Sequence, residues 1–291
     1  MTSGERESPG DSIERRAAWA ILALTVVLFA LAQTAFVRYD TRTFLDHDDY
    51  YTSSAFRAYE TVPAGRTFEE KINRWRKAPS FYPPLVPTTL WTSWLAIGPS
   101  LAAYRWTAAL FALVVVLGTG FALLERERRL DAALVVFLVG TMPIVDEMSR
   151  KFFLQFQANA PLVLAYALVF RAWTAPIRVA RFSIAVGFLA GLALATHPIA
   201  AVLAAPLGLG FVAVIWSTRK DAASRIGGPL VAAAIAIAVI MPWAVPHGHN
   251  YIDWYFQGLE HGAPITRLAS AGFFSVFVRE ALLEQAGPWV V

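Results

Sequence analysis

Long apolar runs alternate with short charged segments along most of the sequence. A helix needs about 20 apolar residues to cross a bilayer, so runs of this length predict membrane helices rather than barrel strands, which would alternate residue by residue. The longest run, 182–216, is interrupted at Thr196-His197-Pro198 and predicts two spans joined by a tight turn. We therefore predict an all-α, polytopic bundle of about seven spans, placed at 17–37, 101–124, 130–145, 158–173, within 182–216 and at 227–245.

A polar tail at 1–16 precedes the first apolar run. The run at 17–37 is longer than the apolar core of a signal peptide, and no small-residue cleavage site follows it. We therefore expect it to be retained as the first span. The chain then divides into an N-terminal tail at 1–16 and a membrane domain at 17–291.

Residues 38–100 form the first long loop between predicted spans. Acids, bases and aromatic side chains are mixed from Asp40 to Pro84, which is typical of short helices at the boundary between water and lipid. The apolar segment 85–97 is too short to span a bilayer, so it is predicted as a juxtamembrane or re-entrant segment. A second polar loop, rich in histidine and aromatic residues, is predicted at 246–267.

The composition supports a membrane protein. Of the 291 residues, 57% are hydrophobic and only 16% are charged, and the mean hydropathy is +0.49. The chain has no cysteine, which excludes disulfides, thiol nucleophiles and cysteine-based metal sites. The net charge of +4 is small and the basic residues cluster at the ends of the spans, so membrane topology explains them better than nucleic-acid binding does.

These basic residues also predict an orientation. The N-terminal tail and the turns at 126–129, 171–181 and 219–225 fall on one side of the predicted bundle. The positive-inside tendency makes this side cytoplasmic, so we expect a cytoplasmic N-terminus in a plasma membrane, the inner membrane of a bacterium. The outer face then collects the remaining connections, which lie at 38–84, Arg150, His197 and His247.

An acidic cluster, Asp46-His47-Asp48-Asp49, follows the first predicted span. Neighbouring carboxylates repel one another, so such a cluster is stable when it is hydrated, bound to metal, or arranged so that one carboxyl keeps a raised pKa. A carboxylate with a tuned pKa suits a general base. An ordinary hydrated acidic loop explains the cluster equally well.

Two basic positions on the predicted outer face are candidates for binding an anion. Arg105 stands near the start of a span, where an arginine is costly unless it is paired or bound to a phosphate; an arginine that extends to the interface is the alternative. Arg150 and Lys151 run against the positive-inside tendency, which favours an anion-binding role over a simple headgroup contact.

Aromatic and histidine residues complete the candidates on this face. Tyr82 precedes Pro83-Pro84-Leu85, where two prolines stiffen the chain as it re-enters the membrane. His197 lies in the turn within 182–216. The pair His247-x-His249 is a weak metal-binding pattern, and hydrogen-bonded loop histidines are the more typical case. We predict no metal site from these residues.

The order of these features resembles that of the polytopic C-type glycosyltransferases, the GT-C superfamily. The closest resemblance is to the branch of protein O-mannosyltransferases and aminoarabinose transferases, often called family 39. In that branch an acidic pair after the first span carries the catalytic aspartate, and Asp48 and Asp49 match this pair, with Asp46 nearby. The aromatic-Pro-Pro-Leu stretch, the arginine that opens the second span, the Ser-Arg pair and the Gly-Leu-Ala stretch match residues 82–85, 105–110, 149–150 and 187–193.

The resemblance implies transfer of a sugar from a polyprenyl-phosphate donor to a protein, lipid or glycan acceptor at the outer face, with inversion at the anomeric carbon. It implies Asp48 as the general base, or Asp46 if the register is shifted, with Asp49 beside it. It requires no cofactor, although Asp46-x-Asp48 leaves room for a divalent cation. Membrane lipids are expected partners, and the side chains implied for binding the donor are Tyr82, Arg105, Arg150, Lys151 and His197.

The sequence also departs from the family pattern. Gln155 and Gln157 stand where the family often has an acid, and His197 stands where it often has a lysine. Family members are usually longer, so we expect this chain to be a fragment. Two other functions stay open: a transporter or flippase for a lipid-linked substrate, and a non-catalytic membrane assembly subunit with the same fold.

Overall fold

The computed structural model of the chain describes residues 9–40, 48–78, 83–123, 129–150, 154–174, 177–197 and 200–260, and these residues form α-helices joined by turns and bends. At 9–11, 48–51, 123, 154–155 and 249–260 only the backbone is described. Within these ranges the twelve helices, in chain order, are α1 (Pro9–Tyr39), α2 (Asp48–Thr61), α3 (Phe68–Lys77), α4 (Leu85–Ile97), α5 (Leu101–Leu123), α6 (Arg129–Gly140), α7 (Pro143–Met148), α8 (Leu154–Gln157), α9 (Asn159–Arg171), α10 (Val179–Leu194), α11 (Ala200–Thr218) and α12 (Ala222–Glu260).

Four of these helices, α1, α5, α11 and α12, are long and apolar enough to cross a membrane. This confirms the prediction of an all-α chain with several membrane-length apolar helices. The other three predicted spans correspond to α6, α9 and α10, which have 12, 13 and 16 residues. At 1.5 Å per residue these helices are only about 18 to 24 Å long.

The helices run between two ends of the bundle. At one end, Arg171 at the close of α9 donates to the carbonyl oxygen of Phe121 near the close of α5, over 3.3 Å. At the same end, Arg219 after α11 donates to the carbonyl oxygen of Ile177 just before α10. We call this end, where the turns at 171–178 and 219 meet, the basic-turn end. The close of α1, the start of α5 and the close of α10 lie at the opposite end around α4, which we call the α4 end.

Two predicted elements are wrong, and both errors lie at prolines. The span predicted at 130–145 is broken before Pro143, because a proline drives the preceding residue out of the helical conformation; Met142 has φ −65° and ψ 131°. The loop predicted from Pro246 onward is instead helical as far as Glu260. Proline is tolerated inside such a helix when other groups replace the missing hydrogen bond.

Small residues allow α10 and α12 to pack closely. Ser183, Gly187 and Gly191 are spaced four apart, so they lie on one face of α10, and all three are buried. A Cβ atom on Gly187 would lie 2.3 Å from the carbonyl oxygen of Ala232 in α12. This approach is closer than any side chain permits, so α10 depends on glycine here, as closely packed membrane helices often do.

Replacing Gly187 with alanine should therefore destabilise the protein by about 1–3 kcal/mol, because backbone atoms of α12 must move to admit the methyl group. The measurement is the free energy of unfolding in mixed micelles of detergent and dodecyl sulfate.

Gly208→Ala in α11 is the matched control, because nothing lies within 4 Å of a Cβ atom at that glycine. The control should leave stability unchanged or raise it by about 1 kcal/mol through better helix propensity. Equal effects of the two substitutions would contradict the packing argument.

Candidate functional site

Helix α4 bridges two membrane helices at the α4 end. At its first residue, the Leu85 N–H donates to the carbonyl oxygen of Ala195 at the close of α10, over 2.8 Å. Near its last turn, Ser93 accepts a hydrogen bond of 2.9 Å from Thr107 of α5. The rigid Pro83-Pro84 entry, both residues buried, therefore lies directly beside the α10–α11 turn that carries His197.

Arg105 donates hydrogen bonds to carbonyl oxygens at the C-terminal end of α1. Its side chain is 3% exposed, and its Nη1 donates to the carbonyl oxygen of Asp40 over 2.7 Å and to those of Phe36 and Val37 over 3.4 Å each. Nη2 lies 3.3 Å from Asp40 Oδ1 in an ion pair. The last carbonyls of a helix have no partner within the helix. A guanidinium from α5 supplies donors at the end of α1, where the carbonyl oxygen of Phe36 also accepts from the N–H of Asp40 over 3.0 Å.

Phe36 contacts two guanidinium groups. The ring centroid is 4.5 Å from Arg105 Cζ and 5.3 Å from Arg150 Cζ, and both distances are within the range of cation–π attraction. Phe36 is 7% exposed, so its ring is enclosed. The two arginines predicted to bind an anion are therefore brought together at one aromatic ring of α1.

Arg150 is much more accessible than Arg105. Its side chain is 36% exposed, and its Nη2 forms an ion pair with Asp146, one turn earlier in the chain. Its Nε–H is buried and has no acceptor within the part of the chain that the structure describes. A buried donor without an acceptor costs about 1–3 kcal/mol. Because this Nε–H is buried, an anion could reach Arg150 only through the exposed part of its side chain.

Two consecutive buried hydrogen bonds link α1 to the segment that carries Arg150. Gln33 of α1 donates from Nε2 to Ser149 Oγ over 2.5 Å, and Ser149 donates to the carbonyl oxygen of Asp146 over 2.6 Å. Gln33 is 1% exposed and Ser149 is fully buried. Gln157, in the position where the resembling family often has an acid, is also fully buried, at the close of α8.

Helix α2 begins at Asp48, so Asp48 and Asp49 form its first turn. Two turns later, Ala55 is buried in one apolar cluster with Trp94 of α4 and Tyr104 of α5, the neighbour of Arg105. At 1.5 Å per residue, the backbone of Asp48 lies about 10 Å along α2 from that cluster. The chain thus brings the backbone of the predicted catalytic pair to the α4 end.

His197 is buried in the turn between α10 and α11, with 3% of its surface exposed. Burial lowers the pKa of His197 to about 4, because desolvation disfavours the imidazolium ion. At neutral pH the ring is uncharged, so any contact with a phosphate would be a neutral hydrogen bond rather than the ion pair that a lysine would form.

Three predicted residues, Asp46, Tyr82 and Lys151, lie outside the described residues, as do the side chains of Asp48 and Asp49. Their roles stay predictions. Among the residues that are described, no three His, Asp or Glu side chains come close enough together to hold a metal ion.

Sequence reasoning missed a contact between α3 and α12. Arg76 Nε donates to the carbonyl oxygen of Pro242 over 2.8 Å, and His247 Nε2 lies 2.8 Å from the carbonyl oxygen of Arg76. The Pro242 carbonyl has no helical donor because residue 246 is also a proline, which lacks an N–H. Arg76 supplies the missing donor, and His247 stacks on Trp243 with centroids 5.5 Å apart.

The sequence also failed to single out the partners of the two arginines. The pattern places Phe36 and Gln33 inside the first predicted span, Asp40 at its end and Asp146 in a polar connection. Each nevertheless touches a candidate residue or its neighbour. One usable signal was present for Asp40, because a buried arginine at the start of one span needs an acid at the matching end of another.

Comparison with protein-family models, with curated proteins and with solved structures finds no match to this chain.

Substituting Arg105 with alanine should destabilise the protein by about 3–5 kcal/mol, because it removes a buried ion pair with Asp40 and the hydrogen bonds that the guanidinium donates at the end of α1. Arg150→Ala is the comparison, and it should cost less than about 1 kcal/mol because its ion pair is exposed. Both values come from equilibrium unfolding in mixed micelles. Similar losses for the two variants would contradict the division between a structural and an accessible arginine.

Buried His197 should make stability depend on pH. The unfolded ring takes up a proton near its ordinary pKa of 6.5, whereas the folded ring does so only near 4. Stability is therefore unaffected above pH 6.5 and falls as the pH drops from 6.5 towards 4, by about 3 kcal/mol in total.

The measurement is the free energy of unfolding at several pH values for wild type and His197→Asn. The asparagine variant cannot titrate, so the difference between the two proteins should grow only in the acidic range. A difference that does not change with pH would show that His197 is accessible to protons in the folded state.

Proposed function

We propose that this chain is a membrane glycosyltransferase that moves a sugar from a polyprenyl-phosphate donor to a protein, lipid or glycan acceptor at the α4 end. The observation that carries the proposal is the guanidinium group of Arg150. It is accessible, it lies against the ring of Phe36 as Arg105 does, and its Nε–H has no acceptor among the described residues. The order of motifs along the chain supports the same reaction class.

An accessible arginine suits the phosphate of a lipid-linked donor. A guanidinium has several N–H donors in one plane, so Arg150 can keep Asp146 on Nη2 while other donors contact phosphate oxygens. These hydrogen bonds strengthen as the phosphate gains charge, and this selective stabilisation accelerates the loss of the leaving group. Arg105 has a different role in the proposal: it positions Phe36 and the end of α1 rather than touching the donor.

The proposed reaction is a single displacement at the anomeric carbon of the sugar. The carboxylate of Asp48 takes the proton from the acceptor hydroxyl as the acceptor oxygen bonds to the anomeric carbon. The bond between that carbon and the phosphate oxygen breaks, and the polyprenyl phosphate leaves with the electron pair. Attack opposite the leaving group inverts the configuration. Asp49 and Asp46 are the alternative bases.

A transporter or flippase is the competing function. Transporters commonly place ionisable groups near the middle of the membrane. In α1, α5, α11 and the described side chains of α12, charged residues occur only near the helix ends, as Arg105 does in α5 and Arg225 in α12. This distribution favours chemistry at one end of the bundle over passage through it.

Two substitutions test the proposal in proteoliposomes supplied with a polyprenyl-phosphate sugar and an acceptor. Asp48→Asn should lower the transfer rate by about 10²–10⁴-fold through loss of the general base. Arg150→Ala should lower kcat/KM for the donor by about 10- to 100-fold through loss of a charged hydrogen bond.

Glu69→Gln and Arg178→Ala are the matched controls, because both side chains are exposed and lie on α3 and at the basic-turn end. Neither should change the rate. Wild-type activity in Asp48→Asn would remove Asp48 from the mechanism. Movement of the lipid across the bilayer without any sugar transfer by wild type would favour the flippase instead.

A further inference from the structure

An apolar groove of about 550 Å³ lies between α3 and α4. Its walls are formed chiefly by Phe68, Ile72 and Trp75 of α3 and by Trp91 and Leu95 of α4. A volume of this size is within the range of sites that hold small molecules or single lipid chains. The groove is separate from the residues around Phe36 that carry the proposed transfer reaction.

One face of α3 lines this groove. Phe68, Lys71, Ile72 and Trp75 are three or four residues apart, so they line up along a single side of the helix. The helix is held in this rotation because Trp75 Nε1 donates to Thr88 of α4 over 2.9 Å, and Arg76 binds α12 as described above. The groove is therefore a fixed feature of the packing between α3 and α4.

The groove opens outward instead of facing the core. Phe68 is 79% exposed and Leu95 is 53% exposed, so large apolar side chains line its rim. Apolar patches of this kind are unfavourable in water and mark a surface that binds lipid or another apolar partner. Because α4 bridges α10 and α5, the groove lies at the level of the ends of apolar membrane helices, within reach of lipid chains.

Lys71 is the sole charged residue among those that line the groove. Its side chain packs against Gly65, because a Cβ atom added to that glycine would lie 2.9 Å from Lys71 Cγ. Within the described part of the chain, Lys71 forms no ion pair. Around it, residues 66–77 carry five basic side chains and two acidic ones, so the local charge is positive. A cation at the mouth of an apolar groove complements a molecule with an anionic head and an apolar tail.

We propose that this groove holds one acyl chain of an anionic phospholipid of the surrounding bilayer, with the lipid phosphate bound to Lys71. The occupant is a bilayer lipid and not the sugar donor, so the proposal does not rest on the transfer reaction. The lipid covers the exposed rings of α3 and fastens this helix to the membrane surface through both its head and its chain.

The test uses the full chain in nanodiscs that contain a phosphatidylglycerol with a photoactivatable group on one acyl chain. After irradiation, peptide mapping should place the label within residues 62–95. Lys71→Gln should reduce this labelling about fivefold, which corresponds to the usual contribution of one basic residue near an anionic surface. Ile72→Trp should reduce it as well by filling the groove, and this variant keeps the charge.

Lys77→Gln is the matched control, because it removes the same charge from the same helix outside the groove. It should reduce labelling less than Lys71→Gln does, because Lys77 adds only to the general positive charge of the surface. Equal losses for Lys71→Gln and Lys77→Gln, or equal labelling by a phosphatidylcholine probe with the same chains, would overturn the proposal. Displacement of the probe by polyprenyl phosphate at lower concentration than by unlabelled phosphatidylglycerol would also overturn it, by identifying the donor as the occupant.

Discussion

The last carbonyl groups of α1 have no donor within their own helix, and the arrangement of the α4 end depends on how they are satisfied. Arg105 of α5 supplies that donor and pairs with Asp40 at the same time. The contact joins α1 to α5 and holds Phe36 in place, and Phe36 in turn supports Arg150 from the segment after α7. One buried guanidinium thus organises three separate parts of the chain.

The alternation of apolar and charged segments was sufficient to predict the helices but not all their ends. The break predicted inside the long apolar run is confirmed, because α10 ends at Leu194 and α11 begins at Ala200. Proline and polar residues interrupt an otherwise continuous apolar sequence there. The same reasoning failed at Pro246, where the helix continues because Arg76 donates to the carbonyl that proline leaves unpaired. Arg76 and Pro242 are 166 positions apart in the sequence, so the local sequence pattern around Pro246 cannot predict this hydrogen bond.

The candidate site was predictable to a similar degree. The cost of an arginine near the start of a membrane helix pointed to Arg105, but whether its partner was a phosphate or a protein group depended on tertiary contacts with α1. The structure gives Arg105 protein partners and leaves Arg150 with an unused donor. The catalytic role of Asp48 and the binding roles of Tyr82 and Lys151 stay predictions from motif order.

The hydrogen bond between Arg76 and Pro242 has a consequence for the order of assembly. Membrane helices enter the bilayer as the ribosome makes them, so α3 leaves the ribosome long before α12 does. Until α12 arrives, Trp75 and Thr88 hold α3 without the help of Arg76. The wall of the groove formed by α3 is therefore completed late, because one of its two anchoring contacts forms only after α12 has been made.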